Sequence, residues 1–345
     1  MIRNGLSLLI FSIFISCTAQ NETENFQIGA ARMNEYLPLL EGKSVAMVVN
    51  QTSRVGNTHL VDTLISRGVN IVKVMAPEHG FRGEAPDGEK IDDSLDEKTG
   101  IPIISIYGSN KKPTVKMLED VDVLIFDIQD VGVRFYTFIS TMHYVMEAAA
   151  ENNKEVIVLD RPNPNGMYVD GPVKDETVNS FVGMHPIPIV HGLTVGELAK
   201  MINGEGWLSN NLEAKLKVIE MTGWDHKQTY SLPVKPSPNL PTDNAIALYP
   251  SLGLFEGTVV SVGRGTDHPF EQIGHPLYGS GGTTFRPEPN AGSKYPPLEG
   301  ELCIGYAFYN AESTRTFTLK WLIDFYNDLS PKTEFFKDYL TLLAG

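Results

Sequence analysis

The sequence predicts an α/β fold built on a mostly parallel sheet that helices cover on both faces. Short apolar segments alternate along the first half of the chain with segments of helical periodicity, which is typical of parallel strands joined by helices. The strand segments are apolar at nearly every position, as expected of strands buried from both sides. The 345 residues and the hydrophobic content of 42% allow two lobes with a substantial core.

The first half carries the more regular part of this pattern. The predicted elements are, in chain order, a strand at residues 43–50, a helix at 58–67, strands at 70–76 and 101–107, a helix at 114–120, a strand at 121–128, a helix at 135–152 and a strand at 155–159. The helix at 58–67 places Leu60, Leu64 and Ile65 on one face. The stretch at 160–188 is rich in proline and glycine, so we expect it to leave this lobe.

The second half is less regular. Thr194 precedes a helical pattern and Glu197 follows at the spacing of a capping box. We also predict strands at 216–221 and 259–263, a helix at 318–329, and a loop at 233–243, where four prolines exclude regular structure. The predicted domains are a sheet lobe over 41–185 and a second, smaller α/β lobe over 186–345.

The first residues have the character of an export signal. Arg3 precedes an apolar run at 8–15 that is too short to span a bilayer, and Ser16 and Cys17 follow it. Residues 1–17 resemble a bacterial lipoprotein signal with Cys17 as the lipidated residue, and residues 18–40 would be a tether; an ordinary secretory signal is the alternative. Both predict an exported protein of the cell envelope, periplasmic or anchored to the outer membrane. Cys303 is the other cysteine, so no intramolecular disulfide is expected.

The formal net charge of −14 limits the partners. Neither nucleic acid nor an anionic membrane surface attracts an acidic protein, so the expected membrane contact is the N-terminal lipid alone. A neutral or weakly charged substrate fits this charge, and an anionic one requires arginines at the site.

Polar side chains follow three of the predicted strands, and the carboxyl ends of parallel strands lie along one edge of a sheet. We therefore predict a ligand crevice there. The candidates are Glu78, His79, Arg82 and Glu84 after the strand at 70–76; Asp127, Gln129, Asp130, Arg134 and Tyr136 at the end of the strand at 121–128; and Asp160, Arg161 and Asn163 after the strand at 155–159. In the second half His191, Arg264, Asp267 and Glu271 are further candidates.

Carboxylates that face each other across a crevice suit the cleavage of a glycosidic bond. Glu78 is the candidate general acid, and His79 is the alternative; an ion pair with Arg82 or another arginine is an equally open interpretation of each acid. Nucleotide-binding glycine motifs and the G-x-S-x-G elbow are absent from the sequence. The spacing of the acids and His79 matches no metal motif, so we expect neither a cofactor nor a metal.

Five motifs in order resemble one bacterial family from about residue 40 to the end of the chain. They are PEHGFRGE at 77–84, FDIQDVGVRFYTF at 126–138, DRPNPNG at 160–166, HGLTVGELA at 191–199 and GRGTDHPFEQIG at 263–274. The family was first catalogued as a domain of unknown function (DUF1343, the YbbC-like proteins). It is now recognised as exo-β-N-acetylmuramidases, NamZ-type glycoside hydrolases that release N-acetylmuramic acid from non-reducing ends of peptidoglycan fragments during cell-wall turnover.

The resemblance implies a Rossmann-like lobe, a smaller C-terminal lobe and an active site in the cleft between them. It also implies that Glu78 is catalytic. Our hypothesis is that Glu78 is the general acid/base, tuned by His79 or Glu84, and that Asp127, Asp130 and Glu271 are the candidates for the second carboxylate. The lactyl carboxylate of N-acetylmuramic acid would bind one of the four arginines at 82, 134, 161 and 264. The other crevice candidates would bind the sugar.

Family members usually continue for several tens of residues past a segment like 339–345, so the resemblance also predicts a second lobe without its last helices. The runner-up function is a non-catalytic, exported lipoprotein that binds muropeptides. A hydrolase of another bond, such as an esterase, is a more distant third, because the nucleophile elbow is missing.

Overall fold

The computed structural model describes residues 25–78, 80–82, 93–108, 110–175, 177–309, 315–329 and 331–337. The strands are β1 (Val45–Val49), β2 (Arg54–Val55), β3 (Thr58–His59), β4 (Ile71–Ala76), β5 (Ser94–Leu95), β6 (Pro102–Ser105), β7 (Val123–Asp127), β8 (Glu155–Leu159), β9 (Asp170–Val173), β10 (Pro188–Val190), β11 (Lys215–Ile219), β12 (Gln272–His275), β13 (Thr283–Phe285) and β14 (Cys303–Ala307). The α-helices are α1 (Met33–Tyr36), α2 (Leu60–Ser66), α3 (Val115–Leu118), α4 (Phe138–Glu151), α5 (Val195–Gly204), α6 (Asp243–Leu252) and α7 (Lys320–Asp328).

A seven-stranded sheet forms the centre of the larger lobe, with strand order β11-β8-β7-β1-β4-β6-β5. All neighbours are parallel except β5, which pairs antiparallel with β6. Every residue of β1 and β7 is buried, because helices cover both faces of the sheet. The predicted fold class is confirmed, and each strand and helix predicted between residues 43 and 159 is present with ends shifted by a few residues.

The two faces of the sheet pack into two hydrophobic cores. Alternate residues of β1 point to opposite faces, so Val48 joins the core under α4 and α5, while Met47 joins the core under α2. Leu60 and Leu64 of α2 are fully buried there, whereas Ile65, which was predicted on the same face, is 38% exposed. Burial of each such side chain contributes about 1.5–3 kcal/mol.

Helix α5 begins at the predicted capping box. The Thr194 hydroxyl accepts a hydrogen bond from the Glu197 backbone N–H, and the Glu197 carboxylate accepts one from the Thr194 N–H. Helix α5 then packs against β8 and β11. Strand β11 is an edge strand of the large sheet. The boundary predicted between residues 185 and 186 therefore assigns α5 and β11 to the second lobe, although both pack with the large sheet.

The smaller lobe contains α6, α7 and a three-stranded antiparallel sheet of order β12-β14-β13. The predicted loop before α6 and the helix at α7 are confirmed. The predicted strand at 259–263 is wrong: Val260 and Val262 are buried, but Ser261 makes one isolated bridge to Gly274. Within the described ranges no helix combines the length and apolar character that a membrane crossing requires.

Candidate active site

A cleft opens at the carboxyl edge of the large sheet, where the strand order changes direction. From β1 the chain continues to β4 on one side and later to β7 on the other, and such a switch point leaves a crevice beyond the strand ends. The cleft encloses about 760 Å³, part of it open to solvent. Its described lining residues are Glu78, Phe135, Tyr136, Thr137, Phe138, Val182, Ser237, Asn239, Leu240, Tyr249, Glu256, Arg264 and Phe270.

Glu78 is held in this cleft by hydroxyl groups from two other elements. The Tyr107 hydroxyl donates a hydrogen bond of 2.7 Å to Oε1, and the Thr137 hydroxyl lies 3.3 Å from Oε2 as a second donor. Glu78 follows β4, Tyr107 follows β6, and Thr137 is the N-cap residue of α4. Both carboxylate oxygens are therefore oriented by donors, and the group remains accessible from the cleft.

An acid and a base from the C-terminal half face the same cleft. Glu256 lies in the 3-10 turn Gly253–Gly257 directly after α6, and its Oε1 is 2.5 Å from Nη2 of Arg264. Sequence reasoning found Arg264 but missed Glu256. Helix α6 contains Pro250 and follows a proline-rich loop, so the sequence carried no clear signal for the helix that positions Glu256.

Aromatic rings form the apolar wall of the cleft. Tyr249 packs edge to face against Phe135, Tyr136 and Phe270, with ring centroids 5.3, 6.0 and 5.0 Å apart. The Tyr136 hydroxyl donates to the Pro236 carbonyl at 2.9 Å, which ties the wall to the proline-rich loop. A wall of this kind provides an apolar surface for a sugar ring, while the carboxylates and Arg264 provide polar contacts.

Asp127 and Arg161 form a buried ion pair instead of lining the cleft. Arg161 donates through Nε and Nη2 to the two Asp127 oxygens at 2.6 and 2.8 Å, and both residues are at most 5% exposed. The pair joins the ends of β7 and β8. The predicted catalytic role of Asp127 and substrate contact of Arg161 are not supported by this placement.

Asp130, Gln129 and His191 stabilise the loop after β7. Asp130 accepts a hydrogen bond from the Gly132 N–H at 2.7 Å and lies 3.4 Å from Nε2 of His191. The Gln129 amide donates to the carbonyls of Asp130 and Pro162 at 2.8 and 2.6 Å. All three predicted residues are at least 95% buried, and none of them lines the cleft.

Asn163 and Arg134 serve neighbouring loops. Asn163 accepts from the Asn165 N–H and donates to the Leu193 carbonyl. The Arg134 guanidinium donates to the carbonyls of Pro172 and Ile187, next to the β9–β10 pair. Both predicted substrate-binding residues therefore bind backbone groups.

Asp160 directly follows β8, and its side chain contacts the first turn of α5 on the edge of a second cavity of about 600 Å³. Its carboxylate accepts from the N–H groups of Arg161 and Gly196 and from the Thr194 hydroxyl. Burial raises the pKa of Asp160 to about 6, although these hydrogen bonds oppose the shift. The second cavity is separate from the one that Glu78 lines.

The remaining described candidates lie outside the cleft lining. Arg82 makes a two-point ion pair with Asp96 at 2.8 Å and thereby lowers the pKa of Asp96 to about 2. Glu271 is buried and accepts from the Asn244 amide at 2.9 Å, and Asp267 is exposed.

Among the described residues, the cleft thus brings together three of the predicted ones, Glu78, Tyr136 and Arg264. The predictions for His79, Glu84 and Cys17 fall outside the described residues. In the same part of the chain, no group of three or more His, Cys, Asp and Glu side chains has the arrangement of a metal site.

Comparison with known families gives two matches that follow each other along the chain. The family described as Exo-beta-N-acetylmuramidase NamZ, N-terminal, matches residues 45–244, and its C-terminal counterpart matches residues 247–345. The junction falls after β11 and within α6, which agrees with the place of β11 in the large sheet.

Individual relatives agree with the family matches. The peptidoglycan beta-N-acetylmuramidase NamZ of Bacillus subtilis (strain 168) is 41% identical over 334 residues, which cover 88% of this chain and 78% of the relative. A crystal structure of a DUF1343 family protein from Bacteroides fragilis superposes with a TM-score of 0.86 at 44% identity, covering 93% of this chain and 88% of that one. A second such protein from the same organism gives a TM-score of 0.74 at 32% identity, covering 88% and 83%.

Proposed function

Because the chain belongs to the exo-β-N-acetylmuramidase NamZ family, we propose that it releases N-acetylmuramic acid from the non-reducing ends of peptidoglycan fragments. The observation that carries the proposal is the Glu78 carboxyl group, oriented by two hydroxyls and facing a cleft with an aromatic wall. The relatives favour this function over non-catalytic binding of muropeptides, because the curated relative is itself a muramidase.

Glu78 is the general acid of this proposal. When protonated it donates its proton to the glycosidic oxygen, which leaves with the electron pair of the bond to the anomeric carbon. Water supplies the hydroxyl group that replaces the leaving oxygen on this carbon and gives up one proton. The hydroxyls of Tyr107 and Thr137 hold the carboxyl group in one orientation, so the proton is presented to a fixed point in the cleft. These two residues position Glu78.

Arg264 and the aromatic wall account for substrate binding in this proposal. Among the described lining residues, Arg264 is the basic one, and the protein as a whole carries a net charge of −14. A guanidinium in the cleft is therefore the group that pairs with the lactyl carboxylate of N-acetylmuramic acid. The Phe270 ring lies beside the guanidinium, and the Tyr249 ring packs against Phe270. Both rings line the cleft and pack against the sugar in this proposal.

Turnover of chromogenic glycosides tests the proposal directly. The wild-type protein is expected to hydrolyse the β-glycoside of N-acetylmuramic acid much faster than that of N-acetylglucosamine. Glu78→Gln is expected to lower kcat by about 10²–10⁴-fold, and the matched control Glu213→Gln, at an exposed position, is expected to retain full activity. Full activity of a well-folded Glu78→Gln protein would refute the role of Glu78. Saturable binding without release of sugar by the wild type would favour the binding protein instead.

We also propose that the protein is exported and lipidated at Cys17. The support is the sequence pattern of residues 1–17, with its apolar run followed by Ser16 and Cys17. Replacement Cys17→Ser should move the protein from the membrane fraction to the soluble envelope fraction. An unchanged distribution between the two fractions would contradict lipidation at this residue.

A further inference from the structure

The Glu256–Arg264 ion pair occupies the place where a substrate carboxylate is needed. Both side chains line the cleft that Glu78 faces, and each is 21% exposed. The pair is therefore formed within the binding site and in contact with the space that the substrate fills. A buried pair that only supports the fold, such as Asp127 with Arg161, has no such access.

Close backbone packing on both sides of Arg264 fixes the course of the chain at this residue. The flanking Gly263 and Gly265 have φ angles of +77° and +78°, and a Cβ at either would lie within 2.7 Å of a backbone carbonyl oxygen, so neither tolerates a side chain. The Arg264 guanidinium also lies 5.5 Å above the centroid of the Phe270 ring. Arg264 is thus a positive charge that its backbone and the Phe270 ring position without help from Glu256.

Partly exposed ion pairs contribute little to stability, so an incoming carboxylate can compete with Glu256. It must compete, because Glu256 already places a carboxylate on the single described cation of the cleft lining. A second carboxylate that shared Arg264 with Glu256 would meet like-charge repulsion from Glu256.

We infer that Arg264 exchanges carboxylate partners when substrate binds: the lactyl carboxylate of N-acetylmuramic acid displaces Glu256. Glu256 is then a specificity residue that occupies Arg264 until a sugar with its own carboxylate arrives. N-acetylglucosamine has no carboxylate and leaves the Glu256–Arg264 pair intact. The inference rests on the proposed function for the identity of the sugar.

Calorimetric titration with the two free sugars tests the exchange without any chemical step. The proteins are the full chain as wild type, Glu256→Gln, Arg264→Lys and Arg264→Met, with Glu213→Gln as the matched control. Thermal unfolding of each variant verifies that it is folded. Turnover of the glycosides is measured separately on the wild type.

Glu256→Gln is expected to bind N-acetylmuramic acid about two- to fivefold more tightly than the wild type. The reason is that the Glu256 carboxylate no longer competes for Arg264, and its ion pair has the strength of a surface pair. Its affinity for N-acetylglucosamine is expected to remain unchanged. Arg264→Met is expected to weaken binding of N-acetylmuramic acid by about 10- to 100-fold, which removes the preference between the sugars. Arg264→Lys, which keeps the charge but loses the planar fork, is expected to retain part of the preference.

Three results would overturn the exchange: unchanged or weaker binding of N-acetylmuramic acid by Glu256→Gln, equal tightening for both sugars, or a preference that persists in Arg264→Met. If the wild type binds neither sugar, the exchange is also overturned. The proposed function fails by a different result, the absence of hydrolysis by the wild type, so the two failures are distinguishable.

Discussion

Replacing Asp127 by asparagine separates a structural from a catalytic role for this acid. Asp127 is fully buried at the end of β7 and accepts hydrogen bonds of 2.6 and 2.8 Å from Arg161, which is 5% exposed. Asp127→Asn keeps the shape of the side chain but presents an NH₂ group to the guanidinium in place of one oxygen. The charge on Arg161 is then buried without its counter-charge.

The expected loss of stability follows from these two contacts. Each hydrogen bond to a charged group is worth about 1.5–3 kcal/mol, and removal of one partner from a buried ion pair costs about 3–5 kcal/mol. We therefore expect Asp127→Asn to lower the free energy of unfolding by about 3–5 kcal/mol. In the double variant with Arg161→Met, the total loss should be smaller than the sum of the two single losses, because no unpaired charge remains.

Urea unfolding followed by tryptophan fluorescence measures this loss, since the chain has three tryptophans. Turnover of the N-acetylmuramic acid glycoside is measured in parallel under conditions where the variant is folded, and it should be retained. The reasoning would be refuted by an Asp127→Asn protein of wild-type stability that has lost turnover. That result would return Asp127 to the chemistry.

Three further predictions concern the cleft, the start of α5 and the C-terminal sheet. Tyr107→Phe removes the donor to Oε1 of Glu78 and should lower kcat about 10-fold with KM unchanged, as steady-state kinetics would show. Burial raises the pKa of Asp160 to about 6, so the folded state keeps the carboxyl proton to higher pH than the unfolded chain does. The protonated Asp160 therefore contributes stability that is complete below the unfolded pKa and is lost as pH rises through about 6. Asp160→Asn should abolish that loss in urea midpoints compared between about pH 4 and pH 7. Gly305→Ala makes the new Cβ overlap the Ile273 carbonyl oxygen of the neighbouring strand and should cost about 3 kcal/mol or more in thermal unfolding. The control Gly282→Ala, with open space around its Cβ, should change stability by less than about 0.5 kcal/mol.

Most elements of the large sheet could be predicted because their signals are local. The five residues of β1 are apolar and fully buried, and Thr194 and Glu197 form the capping box that their spacing indicated. The segment at 259–263 has the same apolar character but forms no strand. Apolar character predicts burial, and whether a buried segment pairs as a strand depends on the neighbours that the tertiary fold provides.

The polar residues at the ends of the predicted strands correctly indicated the edge of the sheet where the cleft lies. They did not correctly indicate which side chains line the cleft. Asp127 ends its strand and Asp130, Asp160 and Asn163 follow strands at this edge, but their polar atoms bind an arginine, a threonine hydroxyl or backbone groups. A loop buried at the base of a cleft needs polar side chains as hydrogen-bond partners for its own backbone. In the sequence, such side chains look the same as those of a binding site.

By itself, the sequence determined the α/β class, the family, and the segment at 77–84 as the one to examine first. These follow from periodicity and from residues close to each other in the chain. Only the tertiary structure decided that Glu256 and Arg264 share a cleft with Glu78, 178 and 186 positions before them in the chain. The pairing of distant carboxylates with guanidinium and hydroxyl groups depends on distances across the fold, and a one-dimensional pattern does not contain these distances.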